Sequence, residues 1–138
     1  MKTYRIFDHT ADMGMEISGK TLQALYANAG HAVFDVMTDL SRVRTAESRI
    51  LKIEGMNRED LLVNYLREIL YLFNGEKLLL KKCIVTDIDA QRLTGKVSGE
   101  RFDSEKHRIN KEIKAVTYHQ LSVEQTPHGW RARVIFDV

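Results

Sequence analysis

The sequence predicts an α+β fold: one domain over residues 1–138, mostly antiparallel β-sheet layers with two helices packed on one face. Three observations carry this reading. The length of 138 residues, 43% hydrophobic and 29% charged, fits one globular core. Two segments carry apolar residues at helical spacing, and the remainder alternates apolar with polar residues. Helices and strands do not follow a strict β-α-β-α order, which disfavours a parallel sheet. No internal repeat or linker interrupts the chain, which has 1 Pro and 8 Gly.

Residues 3–7 read as a first strand, and Met13, Met15 and Ile17 then alternate with Gly14, Glu16 and Ser18 until Gly19. From Thr21, a fitting N-cap, the residues Leu22, Leu25, Tyr26, Ala29, Val33, Val36 and Met37 form one helical stripe. Gly30 within it costs about 1 kcal/mol relative to Ala, which points to a close packing approach. His31 and Asp35 fall on the solvated side of the wheel. A short strand over 48–54 follows, with Leu51 and Ile53 near its core face. Asn57 opens the second helix, with Asp60 in the capping-box position, and Leu61, Leu62, Tyr65, Leu66, Ile69, Leu72 and Phe73 form its buried face. Asn74-Gly75 ends it, with Gly75 expected in the left-handed conformation. Strands are expected over 84–88, 93–99, 113–125 and 130–136. The third of these has a register shift near His119-Gln120, and the last two form a hairpin around Thr126-Pro127-His128-Gly129.

Charge and cysteine content narrow the function. The formal net charge is +2, and the surplus of cations collects in residues 101–114 among interspersed acids, a weak footprint for nucleic-acid binding. The single Cys83 excludes an internal disulfide and reads as a buried inert thiol. The early charges of the N-terminal segment fit no signal peptide, and apolar runs such as Leu78-Leu79-Leu80 are far shorter than a membrane helix. A cytoplasmic protein with no membrane association is the expectation. No P-loop, G-x-G-x-x-G, H-E-x-x-H or G-x-S-x-G is present, which argues against an ordinary nucleotide-dependent enzyme.

Four groups of residues can carry chemistry. Asp8, His9 and Asp12 lie between the first two strands; their carboxylates suit a hard cation or acid–base work, or else cap backbone N–H groups in a turn. Asp137 and the Val138 carboxylate place two anions side by side, which repel unless a cation lies between them or the end frays into solvent. Lys114, Tyr118 and His119 offer an acid–base pair or a phosphate-binding lysine, or are outward groups of an edge strand. Lys106-His107-Arg108 reads as a solvated turn.

Several of these strings, taken together, resemble the archease family. They are Asp8-His9-Thr10-Ala11-Asp12 after the first strand, the AVFDVMTD run at 32–39, the EIKAVTYH run at 112–119 and the terminal Phe136-Asp137-Val138. The likeness spans essentially the whole chain in order. It implies a small cytosolic protein that assists the RtcB-type RNA-splicing ligase. Such proteins promote the ligase's guanylylation by GTP and its multiple turnover, so that tRNA exon halves are joined; the tRNA is reached through the ligase. The resemblance also implies a bound divalent cation, Ca²⁺ or another hard ion, held by Asp12, Asp137 and Val138, and a functional Lys114. One departure is Gln23-Ala24, where many relatives carry acidic residues. The alternative reading is a metal-dependent RNA-processing enzyme acting alone, because three oxygen ligands leave coordination positions open.

Overall fold

The computed structural model describes residues 3–9 and 12–138, with Asp8 and His9 described by their backbone only. Seven strands, two helices and one 3₁₀ turn are present among them. In order they are β1 (Tyr4–His9), β2 (Asp12–Gly19), α1 (Leu22–Met37), a 3₁₀ turn (Leu40–Arg42), β3 (Glu47–Glu54), α2 (Arg58–Asn74), β4 (Leu78–Ile88), β5 (Arg92–Arg101), β6 (Ala115–Thr126) and β7 (Gly129–Asp137). All strand pairs are antiparallel. They form a four-stranded sheet in the order β1-β2-β7-β6 and a three-stranded sheet in the order β3-β5-β4.

The predicted class is the observed one, but the helical stripes do not face a single sheet. Each helix packs against strands of both: α1 touches β2 and β7 as well as β4, and α2 touches β6 as well as β3 and β4. Leu25, Tyr26, Val33 and Met37 of α1 and Leu61, Leu62, Leu66 and Ile69 of α2 are fully buried. They meet Met15 and Ile17 from β2 and Ala132, Val134 and Phe136 from β7, whose alternation turns one face of the larger sheet inward. Trp130 lies at the margin of that face, half-buried, with the Arg58 guanidinium 5.1 Å from its ring.

Both helix starts follow from their capping residues. The Thr21 hydroxyl accepts from the Ala24 N–H at 3.0 Å, and Asn57 Oδ1 accepts from the Asp60 N–H at 2.8 Å. Asp60 returns the bond one residue further back, accepting from the Met56 N–H at 2.9 Å. The end of α2 differs from expectation. Gly75 is right-handed, with φ −91°, and the left-handed residue is Lys77 at φ 60°. A side chain at position 75 would lie 2.6 Å from the Tyr71 ring, so glycine serves close approach there. The strand β4 also begins earlier than the alternation indicates. Leu78, Leu79 and Leu80 are all buried, and a run covered on both sides carries no period of two.

Gly30 admits the close contact its helical position implies. A Cβ there would lie 2.6 Å from the Tyr65 hydroxyl and 3.0 Å from Cys83 Sγ. Burial pushes the Cys83 thiol up to about 12, so almost no thiolate exists at neutral pH. Native protein at pH 8 is therefore expected to resist alkylation by iodoacetamide and to react in full once denatured. Rapid native modification, read by mass spectrometry, would contradict this burial.

Candidate metal and partner site

The four-stranded sheet assembles the site at one of its ends. Asp12 is the first residue of β2 and pairs with His9 of β1. On its other side β2 pairs with β7 from Met13↔Phe136 onward, and one further step of that register sets Asp12 across from Asp137. Asp137 pairs in turn with Ala115 of β6, and the Lys114 N–H donates to the Asp137 carbonyl at 2.8 Å. Three positions separated by up to 125 residues in sequence therefore share one sheet end. The distribution of charge follows from the pleat. Met13 and Phe136 point into the core, so Asp12 and Asp137, one residue away on each strand, lie on the opposite face. Val138 is half-buried and packs against the core. Lys114 and Asp137 are exposed and Asp12 is half-buried.

The outer face beside the site is built closely. Gly14 gives way to the Phe7 ring, which any side chain at position 14 would strike. The Arg133 guanidinium lies 4.4 Å from that ring and Arg5 lies 5.9 Å from it. Arg5 also bridges to Glu16 at 3.2 Å. The backbones carrying Asp12 and Asp137 are thus held by a ladder and a ring contact two residues away.

The donors brought together, Asp12, Asp137 and the main-chain oxygens of Val138, are all oxygen, the chemistry that suits Ca²⁺ or Mg²⁺. Among the described residues no group of three or more His, Cys, Asp or Glu is disposed to hold a metal ion. The side chains of the candidates Asp8 and His9 lie outside the described residues. Their backbones continue β1, so the expected loop between the first strands is shorter than the DHTAD string suggests.

The other two candidate groups resolve differently. Tyr118 stands on the predicted register shift, which falls between Thr117 and Ser122 with Gln120 at φ 52°. Its hydroxyl donates to Asp60 Oδ1 at 2.9 Å, which raises the Tyr118 pKa, and Arg67 lies 5.2 Å from its ring. Tyr118 thus ties β6 to the N-terminus of α2. His119 is exposed beside it.

Lys106-His107-Arg108 is no solvated turn. The His107 side chain is fully buried. Its Nδ1 accepts from the Asp103 N–H at 3.0 Å, so Nε2 carries the proton and donates to Glu100 Oε2 at 3.0 Å. Lys106 Nζ lies 2.7 Å from the same carboxylate, and the Arg44 N–H donates to it at 2.8 Å. The Thr38 hydroxyl donates to the Arg108 carbonyl at 2.7 Å and secures the far side. Sequence reasoning missed this lock because Glu100 and Arg44 lie on separate elements. The Lys106 contact, with the Arg44 and His107 hydrogen bonds, holds the Glu100 carboxyl at about 2, below its usual 4.5. A lowered carboxylate pKa stabilises the fold above pH 4.5, and that contribution is lost as pH falls toward 2. Glu100→Gln is therefore expected to flatten the acid limb of the stability–pH profile between pH 5 and 2, measured by urea denaturation. An unchanged acid limb would contradict this network.

Comparison with known proteins agrees with this architecture. Residues 4–138 match the family model described as Archease protein family (MTH1598/TM1083). The chain is 37% identical over 140 residues to the protein archease of Sulfurisphaera tokodaii, with all of both chains covered. It is 34% identical over 141 residues to that of Methanosarcina barkeri, covering 99% of this chain and 97% of the relative. The solution structure of Methanobacterium thermoautotrophicum protein 1598 superposes with a TM-score of 0.84 at 37% identity, over 100% of both chains. The chain belongs to the archease family. No helix among the described residues is long and apolar enough to cross a membrane.

Proposed function

We propose that this archease is an accessory protein of the RtcB-type RNA-splicing ligase in the cytoplasm. In this reading it promotes the ligase's guanylylation by GTP and its multiple turnover, and meets tRNA exon halves through the ligase. The observation that carries it is the convergence of Asp12, Lys114 and Asp137 at one end of the larger sheet. Asp12, Asp137 and a Val138 oxygen would hold Ca²⁺ or another hard divalent cation, which when bound supplies a localised positive charge. The exposed Lys114 faces the partner from the same end. Around the ion, the chain's own residues set the shape: the β1-β2-β7-β6 ladder fixes the two carboxylates, and the Val138 side chain holds its backbone against the core. Such a surface assists a partner only by binding one of its conformations more tightly than another. The test is ligase guanylylation with and without this protein at substoichiometric amounts. A higher rate or turnover is expected, with no GTP or RNA turnover by the protein alone. An unchanged ligase rate would overturn the reading. So would robust RNA turnover by the isolated protein that is lost in Asp12→Ala.

A further inference from the structure

The outer face of the three-stranded sheet carries a feature that this site does not use. Its inner face is covered by the helices, through Leu51, Leu93, Val97 and Val85. On its outer face Lys96 of β5 stands directly between Ile50 of β3 and Ile84 of β4. Lys52 lies opposite Thr94, two residues before Lys96, and Lys82 lies opposite Ser98, two residues after it. Alternation puts Lys52, Lys96 and Lys82 on the same face, and all three are exposed. With strands ~4.8 Å apart and a rise of ~3.4 Å per residue, each diagonal step is about 8 Å. The three lysine positions therefore follow one diagonal across the sheet.

No carboxylate is paired with any of the three among the described residues. Three acids share this face: Glu54, 3.9 Å from Arg92; Glu100, held by Lys106 and His107; and Asp87, which lies opposite Thr94 in the row of Lys52, one diagonal step from Lys96. The stripe thus carries three lysines against one carboxylate, Asp87, beside the exposed Ser48 hydroxyl side by side with Ser98 and two exposed isoleucines.

We propose that this face binds the phosphate backbone of single-stranded RNA without reading its sequence. A row of evenly spaced point charges fits a polymer of evenly spaced phosphates, and lysine stems are long enough to adjust to its pitch. Lysine is depleted in protein–protein interfaces, which makes an acidic protein the poorer occupant. The absence of aromatic side chains from the stripe removes base stacking and with it sequence preference. This surface lies on the other sheet from Asp12 and Asp137 and does not rest on the ligase reading.

The test is fluorescence anisotropy of a labelled 20-nucleotide poly(U) RNA with the full protein, titrated from 25 to 100 mM KCl. With three phosphate contacts the log–log salt slope is expected near −2, roughly a 16-fold loss of affinity over that range. Lys52→Gln/Lys82→Gln/Lys96→Gln should weaken binding at least about 10-fold at 25 mM, while the corresponding triple Arg variant retains it. Each single Gln variant should reduce the slope by about 0.7. Circular dichroism of the variants checks that the exposed substitutions leave the fold intact. No binding at 25 mM, or undiminished binding by the triple Gln variant, overturns the proposal. Competition by poly-glutamate of equal charge as effective as RNA also overturns it, in favour of an acidic protein. Guanylylation of the ligase in the absence of RNA should be unchanged by the triple Gln variant; its loss would assign the face to the ligase instead.

Discussion

Leu25→Asp is expected to leave the protein unfolded or insoluble. Leu25 is 0% exposed and lies on the buried stripe of α1, which packs against β2 and β7 of one sheet and β4 of the other. The substitution removes a fully buried leucine, worth about 2–5 kcal/mol on truncation alone. It then places a carboxylate where no cation can reach it, at a cost of several kcal/mol more or else with forced protonation. Together these match a stability that is ordinarily only ~5–15 kcal/mol. Circular dichroism and soluble yield read the result directly. On the same helix, Asp35→Ala loses one exposed hydrogen bond, from the Tyr4 hydroxyl at 2.6 Å, and should cost about 1 kcal/mol or less. A soluble Leu25→Asp protein that melts like wild type would place the stripe outside the core.

The fold was legible where one face of an element is wet. Both helices, their N-caps and the hairpin of β6 and β7 stand where period and capping residues put them. The register shift near His119-Gln120 was readable because alternation fails there, and the left-handed Gln120 is its physical cause. The split into two sheets was not readable, because alternation fixes which way a side chain points and not which strand lies beside it. The leucines at 78–80 hid the start of β4 for the related reason that both their sides are covered. The candidate site was half legible. Asp12 and the residues 137–138 drew notice as unusual chemistry, but only the pairing β2-β7-β6 brings them to one place with Lys114. The Glu100–His107 lock was illegible, since its members come from β5, the loop after it and the distant segment before β3 that carries Arg44.

Asp12→Ala and Asp137→Ala, singly or together, are expected to abolish stimulation of the ligase while leaving this protein folded. Both carboxylates lie on the sheet face opposite the core, so their removal opens no cavity. The ladder also survives, because Asp137 meets Lys114 and Ala115 through its backbone and not through its carboxylate. What is lost is the donor set. Two of the three proposed oxygen sources disappear, and a single remaining Val138 oxygen cannot hold a hard cation that takes 6–8 oxygen ligands. Calorimetric titration with Ca²⁺ should therefore show binding to the wild type and none to the double variant, with matching thermal melts. Lys114→Ala should keep Ca²⁺ binding, since its side chain supplies no oxygen, yet lower the stimulation. That difference separates an ion-holding role from a partner-facing one. Full stimulation by the Asp12→Ala/Asp137→Ala protein would exclude a cation-centred mechanism while leaving membership of the archease family untouched.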